Sequence, residues 1–226
     1  TEANKPMNPS PLWSLPRPQR FPRSQKALAR RGLSARSLEV TRMRSLFTVH
    51  AGELLAGEYI ERKFRSVNVW VPSRDSGVDL LVTDRANRRA ASLQVKFSRD
   101  FLVTDMPAQF QKPLRACGWW SLNRKKLVAS HADYWVFTLI GFASRSTDYI
   151  VVPRKELLRR LDRIHHRANR MDVYLWVTER NRCWATRDLK RQDHERIAEG
   201  KFRDAPRDFT RFLNDWGPVA RLNSTG

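Results

Sequence analysis

Two strand patterns joined by a short polar turn, within residues 77–97, constrain the fold of this chain more than any other stretch. Residues 78–84 and 91–97 each have the length and alternation of a β-strand, and the polar residues 87–89 suit a hairpin tip. Strand side chains alternate between two faces, so one face of the second strand is apolar and the other carries Ser92, Gln94 and Lys96. This stretch therefore predicts an antiparallel hairpin with one core face and one polar face.

The patterns around this hairpin predict an α/β fold. Residues 45–63 have a helical apolar stripe, and residues 134–142 form an apolar run that is typical of a buried strand. Residues 98–130 have no regular pattern and are predicted to be irregular. The other predicted elements are strands over 67–71, 134–140, 148–152, 173–178 and 182–186, and helices over 154–170, 188–199 and 206–216.

Glu53 lies in the apolar stripe of the first predicted helix, together with Val49, Ala56 and Ile60. A carboxylate in such a stripe is expected to be partly buried, and burial without a partner costs several kcal/mol. We therefore expect a cation or a hydrogen-bond donor beside Glu53. The alternative is that Glu53 flanks the stripe and lies in water, as most glutamates do.

The charge of the chain indicates nucleic acid as its partner. Lys and Arg number 43 against 23 Asp and Glu, a formal net charge of +20 over 226 residues. A solvated basic surface is the alternative. No segment approaches the roughly 18 consecutive apolar residues of a membrane span, so no membrane association is expected. Cys117 and Cys183 fit neither a disulfide framework nor a zinc site, and no secretory signal pattern is present, which favours a cytoplasmic, nucleoid-associated protein.

We divide the chain into three parts. Residues 1–44 are a basic Pro- and Arg-rich arm with a linker helix, residues 45–187 a core domain, and residues 188–226 a C-terminal helical extension packed on the core. The arm is either an element that follows DNA phosphates or a loose end. Its predicted DNA contacts are Arg17, Arg20, Arg23, Lys26, Arg30 and Arg31.

The residues of the hairpin suit the hydrolysis of a phosphodiester bond. This reaction needs a cation that offsets the phosphate charge and a water that loses a proton beside the phosphorus. Mg²⁺ takes hard oxygen ligands and keeps several waters, so the protein supplies only a few oxygens. The predicted metal ligands are Asp79, Gln94, the backbone carbonyl of Val95 and, as an outer or second-metal ligand, Glu53. Lys96 is predicted to polarise the water or to stabilise the developing charge, which makes Glu53, Asp79, Gln94 and Lys96 the predicted catalytic residues.

The same residues lie in a pattern that resembles a known family. GVDLLV (77–82) is followed, fifteen residues after its aspartate, by QVK (94–96), and is preceded by AGELLAGEYI (51–60). The pattern is similar to the PD-(D/E)xK nuclease superfamily in its Q-x-K variant, and the order of helix, strand and hairpin matches that family's core. Segments that look like those of small prokaryotic members are ADYWVFTLI (132–140) and YIVVPRKELL (149–158).

The resemblance covers residues 45–161 and implies a restriction-endonuclease-like core, in which helices flank a central mixed β-sheet. It also implies metal-dependent cleavage of DNA, with Mg²⁺ as the cofactor and Mn²⁺ as its substitute. Two positions depart from the family pattern: Val78 replaces the usual proline, and Gln94 replaces the usual second acid. The missing negative charge at Gln94 is expected to weaken divalent-cation binding unless Glu53 compensates.

Two adjacent tryptophans beside a basic cluster are further candidates for DNA contact. Trp119 and Trp120 can stack on unpaired bases or wedge a duplex. The alternative is that the pair splits, with one ring in the core and the other at its edge. The basic residues that follow them, also predicted to bind DNA, are Arg124, Lys125 and Lys126.

Three functions are compatible with these patterns. The first is a Mg²⁺-dependent DNA endonuclease that acts as a homodimer or with a partner protein. The second is a catalytically inactive nuclease-fold subunit that binds DNA or assembles a larger nucleoprotein complex, with Gln94 marking the lost activity. The third is a basic RNA-associated structural protein, in which Asp79, Gln94 and Lys96 are only polar residues at a sheet edge.

Overall fold

A computed structural model describes residues 50–73, 77–102, 106–141 and 144–224. The predicted arm with its six predicted DNA contacts, and the start of the first predicted helix, lie outside these ranges. Within them, no helix combines the length and the apolar character that crossing a bilayer requires. In chain order the elements are α1 (Ala51–Lys63), β1 (Val67–Trp70), β2 (Leu80–Asp84), β3 (Ala90–Arg99), α2 (Ala108–Gln111), β4 (Leu114–Asn123), α3 (Arg124–Ala129), β5 (Tyr134–Gly141), β6 (Ser146–Pro153), α4 (Arg154–Ile164), β7 (Arg170–Thr178), β8 (Cys183–Ala185), α5 (Arg191–Glu199), a 3₁₀ turn (Thr210–Phe212) and α6 (Gly217–Asn223).

A five-stranded mixed sheet, of order β1-β2-β3-β5-β6, is the centre of this α/β structure, and helices flank it. The predicted hairpin is confirmed: β2 and β3 pair antiparallel, with Leu80 opposite Leu93. Strands β3 and β5 run parallel. A parallel pair needs a long crossover connection, and α2, β4 and α3 all lie within it.

The two faces of this sheet are covered by different elements. On one face, Leu93 and Val95 of β3 pack against α1 and α6. On the other face, Phe137 of β5 packs under α4 and under a second, three-stranded sheet of order β4-β7-β8. Gln94 and Lys96 are register partners of Trp135 and Phe137, so they lie on this second face. The predicted alternation of β3, with one apolar and one polar face, is therefore confirmed.

The prediction that residues 98–130 are irregular is wrong, because this stretch contains the ten-residue strand β4. Ala116, Trp120 and Leu122 of β4 face the core between the two sheets, with the period of two of a strand. A register shift near Leu114 interrupts this alternation in the sequence. Gly118 interrupts it again, because a side chain there would collide with the Trp120 ring.

A third core covers part of the outer face of the three-stranded sheet. Trp176 of β7 packs there with Phe202 and with Ile197 of α5. Cys117 belongs to this core and Cys183 to the core between the sheets, and both are free and buried. Burial raises the pKa of both thiols, so they are protonated at neutral pH.

Two predicted helices differ from the observed ones. The helix predicted over 154–170 ends at Ile164, because His166 and Arg167 have φ of 50° and 61° and turn the chain towards β7. The helix predicted over 206–216 is replaced by the 3₁₀ turn, and α6 begins only at Gly217. The carboxylate of Asp208 accepts a hydrogen bond from the N–H of Thr210 at 2.9 Å, and such local bonds compete with helix formation.

The segment that follows α5 is held by the buried side chain of Arg160 in α4. Its Nη1 donates to the carbonyl oxygens of Ala205, Pro206 and Asp208 at 2.7, 3.1 and 2.7 Å. The guanidinium also lies 5.2 Å from the ring centroid of Phe212. Arg160 therefore links α4 to an irregular stretch of backbone that has few ladder partners of its own.

Glu156 completes this arrangement from the first turn of α4. It accepts hydrogen bonds from Arg160 at 2.7 Å, from Arg159 at 2.7 Å and from Arg211 at 2.8 Å. The hydrogen bond from Arg159 and that from Arg160 lower the pKa of Glu156 to about 2. Its carboxylate is therefore ionised at neutral pH and offsets the charge of the buried guanidinium.

Candidate metal site and nucleic-acid contacts

The antiparallel pairing of β2 and β3 brings Asp79 and Gln94 together. Leu80 lies opposite Leu93, and the N–H of Asp79 donates to the carbonyl of Leu93 at 2.8 Å, which holds Asp79 against β3. The carboxylate of Asp79 accepts a hydrogen bond from the side-chain amide of Gln94 and another, at 2.8 Å, from the N–H of Val95. Three predicted site residues are therefore in direct contact where β2 begins.

Asp79 and Gln94 are also shielded from water, with exposed fractions of 4% and 8%. The N–H and the C=O of one residue in a strand point to the same neighbouring strand, so the carbonyl of Val95 faces the side on which Asp79 lies. The carboxylate oxygens of Asp79 and the carbonyl oxygen of Val95 therefore lie on the same side of β3.

Lys96 lies on the same face of β3 as Gln94 and is half-buried. Its ammonium is 5.6 Å from the ring centroid of Trp135, a distance typical of a cation–π contact. Among the residues that the structure describes, no carboxylate forms an ion pair with Lys96. The aromatic ring of Trp135 is therefore the contact that the structure shows for the Lys96 ammonium.

Glu53 is buried in the first turn of α1, with 3% of its surface exposed, as its position in the apolar stripe predicted. The residue before it explains how the helix approaches the sheet. A side-chain Cβ at Gly52 would lie 2.7 Å from the Cβ of Phe97, so only a glycine lets the start of α1 approach β3 this closely. The first turn of α1, which carries Glu53, is thereby held against β3, on the face that Leu93 and Val95 also occupy.

The orientation of the Gln94 side-chain amide decides whether the oxygen atoms beside Asp79 suit a hard cation. Gln94 directs its amide N–H towards Asp79. Its Oε1 lies towards Gly77, 3.8 Å from the position that a Cβ on this glycine would occupy. A half-turn of this amide would exchange its oxygen and its nitrogen, and would place an oxygen ligand beside the carboxylate. No group of three or more His, Cys, Asp or Glu side chains is placed to hold a metal within the described ranges. The predicted oxygen ligands that lie together are therefore those of Asp79, Gln94 and Val95, and Glu53 is the other predicted acid, on the helix packed against β3.

Replacing Gln94 by glutamate tests whether the site takes a cation. The variant loses the hydrogen bond to Asp79 and brings two carboxylates together, so in a chelator we expect its free energy of unfolding to fall by about 1–3 kcal/mol. Mg²⁺ should restore most of this loss and should stabilise the variant more than the wild type. Urea unfolding with and without Mg²⁺ measures both effects. Gln192→Glu, an exposed change on α5, is the control, and equal Mg²⁺ responses in all three proteins would contradict the site.

Trp119 and Trp120 occupy different environments. Trp120 is 5% exposed and its ring contacts Phe137 in the core between the sheets, so the prediction that Trp120 contacts DNA is wrong. Trp119 is 46% exposed on the outer face of β4, where its ring centroid lies 6.1 Å from that of Tyr174. The period of two along β4 separates the two rings, in agreement with the alternative of one core ring and one edge ring.

Trp119 is also close to the candidate metal site. Its backbone N–H donates to Ser98 Oγ at 3.1 Å, and Ser98 follows Lys96 by two residues on the same face of β3. Two residues of a strand span about 7 Å. Sequence reasoning missed this proximity, because β4 itself was not predicted. The backbone of Trp119 therefore contacts β3 two residues beyond Lys96.

The predicted basic cluster after β4 is only partly free. Arg124 forms a bidentate ion pair with Asp162, at 2.7 and 2.8 Å, and this pairing lowers the pKa of Asp162. Lys125 and Lys126 are exposed at the start of α3. Arg124 therefore has a structural partner within the chain, whereas the two lysines present their charges to solvent.

No family model, curated protein or solved structure matches this chain. Asp79, Gln94 and Val95 are in contact, Lys96 shares their strand, and Glu53 is buried on the helix packed against that strand. The sequence pattern carried no sign of Trp135 as the partner of the lysine, because the parallel pairing of β3 with β5 joins residues that are 41 positions apart.

Proposed function

We propose that this chain is a metal-dependent endonuclease that hydrolyses DNA phosphodiester bonds on a restriction-endonuclease-like core. One observation carries the proposal: the buried Asp79–Gln94 contact lies on the strand that presents Lys96, in a chain of net charge +20. The order of α1, β1 and the β2–β3 hairpin supports it, since the resemblance to PD-(D/E)xK nucleases includes this order. The net charge supports a polyanionic substrate.

Each residue has a distinct role in this proposal. Asp79, the Val95 carbonyl, Gln94 and Glu53 would hold the cation, and a bound Mg²⁺ would offset the charge of the scissile phosphate and lower the pKa of a bound water. Lys96 would stabilise the negative charge that develops on the phosphate oxygens. The cation–π contact with Trp135 restricts the position of the Lys96 ammonium and leaves its N–H donors free for substrate.

Cleavage of a supercoiled plasmid tests the proposal directly. We expect nicked or linear products with Mg²⁺ or Mn²⁺ and intact DNA in a chelator. Protein that leaves plasmid, linear and branched DNA intact with both metals would overturn the proposal. Products that form equally well in the chelator would indicate a different nuclease in the preparation.

An inactive DNA-binding or assembly subunit is the second candidate, and the hydrogen bond from Gln94 to Asp79 favours it. This bond joins β2 to β3 without a metal, so the pair also suits a purely structural role. The two candidates differ in their response to cations. Tight DNA binding without cleavage, together with no effect of Mg²⁺ on unfolding, is the result expected for the subunit.

Replacing Trp119 by alanine tests the contact with unpaired bases. Stacking of one base on an aromatic ring contributes about 1–3 kcal/mol, so we expect roughly 10-fold weaker binding of single-stranded DNA and a smaller effect on duplex. The exposed ring contributes little to packing, so the melting temperature should stay nearly constant. Fluorescence anisotropy with labelled oligonucleotides measures the affinity, and Val128→Ala, another exposed apolar residue, is the control. Unchanged affinity for single strands would remove Trp119 from the binding surface.

A further inference from the structure

A basic cleft lies at the start of β3, and Asp79, Gln94 and Lys96 of the candidate metal site do not line it. Its volume is about 820 Å³, and the start of β3, the start of β5, the start of α4 and the helix α6 line it. Small side chains, including Ala91 and Ala132, form part of its wall. Its ionisable lining residues are Arg89, His131, Asp133, Arg154, Lys155 and Arg221. Segments that are far apart in the sequence thus bring several cations into one concave surface.

The charges of this cleft are strongly unbalanced. Asp133 is its lining carboxylate, and it already accepts hydrogen bonds from the N–H and the hydroxyl of Ser92 at 2.9 and 2.7 Å. Asp84, behind the wall, pairs with Arg89 at 3.2 Å. Lys155 and Arg221 are exposed and form no ion pair with any carboxylate in the described part of the chain. The excess of positive charge in this concave surface gives it a positive electrostatic potential, which attracts an anion.

Two of the arginines are anchored by part of their guanidinium group. Arg89 donates to the carbonyl of Leu222 at 3.4 Å in addition to its contact with Asp84, and Arg154 donates to the carbonyl of Val128 at 3.0 Å. A guanidinium has five N–H donors, so each keeps donors for a ligand while its position is restricted. Planar, anchored guanidinium groups suit the oxygens of a phosphate.

We propose that this cleft binds a phosphate group of the nucleic-acid strand that the candidate metal site acts on. Ala91 lines the cleft, whereas Gln94 and Lys96 lie three and five residues further along β3, which corresponds to about 10–17 Å. A strand of B-form DNA rises about 3.4 Å per nucleotide, so the cleft would hold a phosphate about three to five nucleotides from the metal site. The proposal rests on the proposed function for the identity of the substrate, but binding in the cleft does not require cleavage.

Charge reversal in the cleft tests the proposal with the full chain in a chelator, where no metal-dependent cleavage interferes. The test protein carries Lys155→Glu and Arg221→Glu, and a matched control carries Lys112→Glu and Lys201→Glu, two exposed lysines outside the cleft with the same change in net charge. Anisotropy with single-stranded and duplex oligonucleotides over a range of salt measures the affinity. Circular dichroism checks that both proteins fold, and Lys155→Gln alone gives a milder variant.

We expect the cleft variant to bind at least 10-fold more weakly than the control variant. Its plot of log affinity against log salt should also lose about one to two units of slope, since each phosphate contact contributes about 0.7–0.9. Equal losses in the two variants would show a general charge effect and would overturn the proposal. A second measurement follows thermal stabilisation by inorganic pyrophosphate: if the cleft variant loses only this response and binds oligonucleotides as the control does, the ligand is a small phosphate compound and the assignment to a strand is wrong.

The two proposals fail in distinguishable ways. If no condition gives cleavage, the endonuclease proposal fails while the salt-dependent binding difference still tests the cleft. If cleavage occurs and the cleft variant binds as its control does, the cleft proposal fails alone.

Discussion

Replacing Lys96 by methionine is expected to lower the rate of Mg²⁺-dependent DNA cleavage by about 10²–10³-fold, the usual cost of removing one group that stabilises developing charge. Methionine keeps an unbranched side chain beside Trp135, so packing should change little. The measurement is the rate of plasmid nicking at saturating protein. Lys112→Met, at an exposed position, is the control and should cut at the wild-type rate.

Affinity for DNA separates a catalytic effect from a binding effect in this experiment. Lys96→Met should bind oligonucleotides within about 3-fold of the wild type, because one phosphate contact among many contributes little. Asp79→Asn provides a second check: its oxygen can still accept the N–H of Val95, but the charge that attracts the cation is lost. Wild-type cleavage by either variant would show that the reaction centre lies elsewhere in the chain.

Replacing Arg160 by alanine is expected to lower the free energy of unfolding by about 3–5 kcal/mol, the range for breaking a buried ion pair. The variant leaves three carbonyl oxygens of residues 205–208 without their donor and leaves Glu156 without its buried partner. It also opens a cavity beside Phe212. Urea denaturation followed by tryptophan fluorescence measures the loss.

Arg159 provides a matched comparison, because it is an exposed arginine that pairs with the same glutamate. Arg159→Ala should cost less than about 1 kcal/mol, as solvent screens an exposed pair. Similar losses for Arg159→Ala and Arg160→Ala would mean that the carbonyl contacts of Arg160 contribute little. Arg160 lies on α4 and Lys96 on β3, so the two replacements act on different parts of the molecule. The Lys96 replacement tests catalysis, and the Arg160 replacement tests stability.

Much of the candidate site follows from local geometry and is visible in the sequence. The alternation of β3 predicts that Gln94 and Lys96 share a face, and the hairpin predicts that Asp79 lies across from Gln94. Glu53 is predicted to be buried by the stripe it shares with Ala56 and Ile60, and it is buried. These features follow from the periodicity of side chains along a strand or a helix, which is a local property of a few neighbouring residues.

Elements whose patterns are interrupted could not be predicted in the same way. The shift near Leu114 and the missing side chain of Gly118 hide the strand β4, so the burial of Trp120 and the exposure of Trp119 were not assigned. The helix α4 ends just before residues 166 and 167, which adopt positive φ as the chain turns towards β7. Local propensity does not decide such positions, because contacts with distant strands outweigh it.

The sequence by itself determined the polar face of the β2–β3 hairpin, since strand geometry alternates side chains whatever surrounds them. Only the tertiary structure decided that Trp135 lies beside Lys96, that Trp119 contacts Ser98, and that the basic cleft exists. The cleft joins Arg89, Arg154 and Arg221, which are separated by 65 and 67 positions in the sequence. Such groupings depend on long-range packing between sheets and helices, and no periodicity in the sequence records which distant segments will meet.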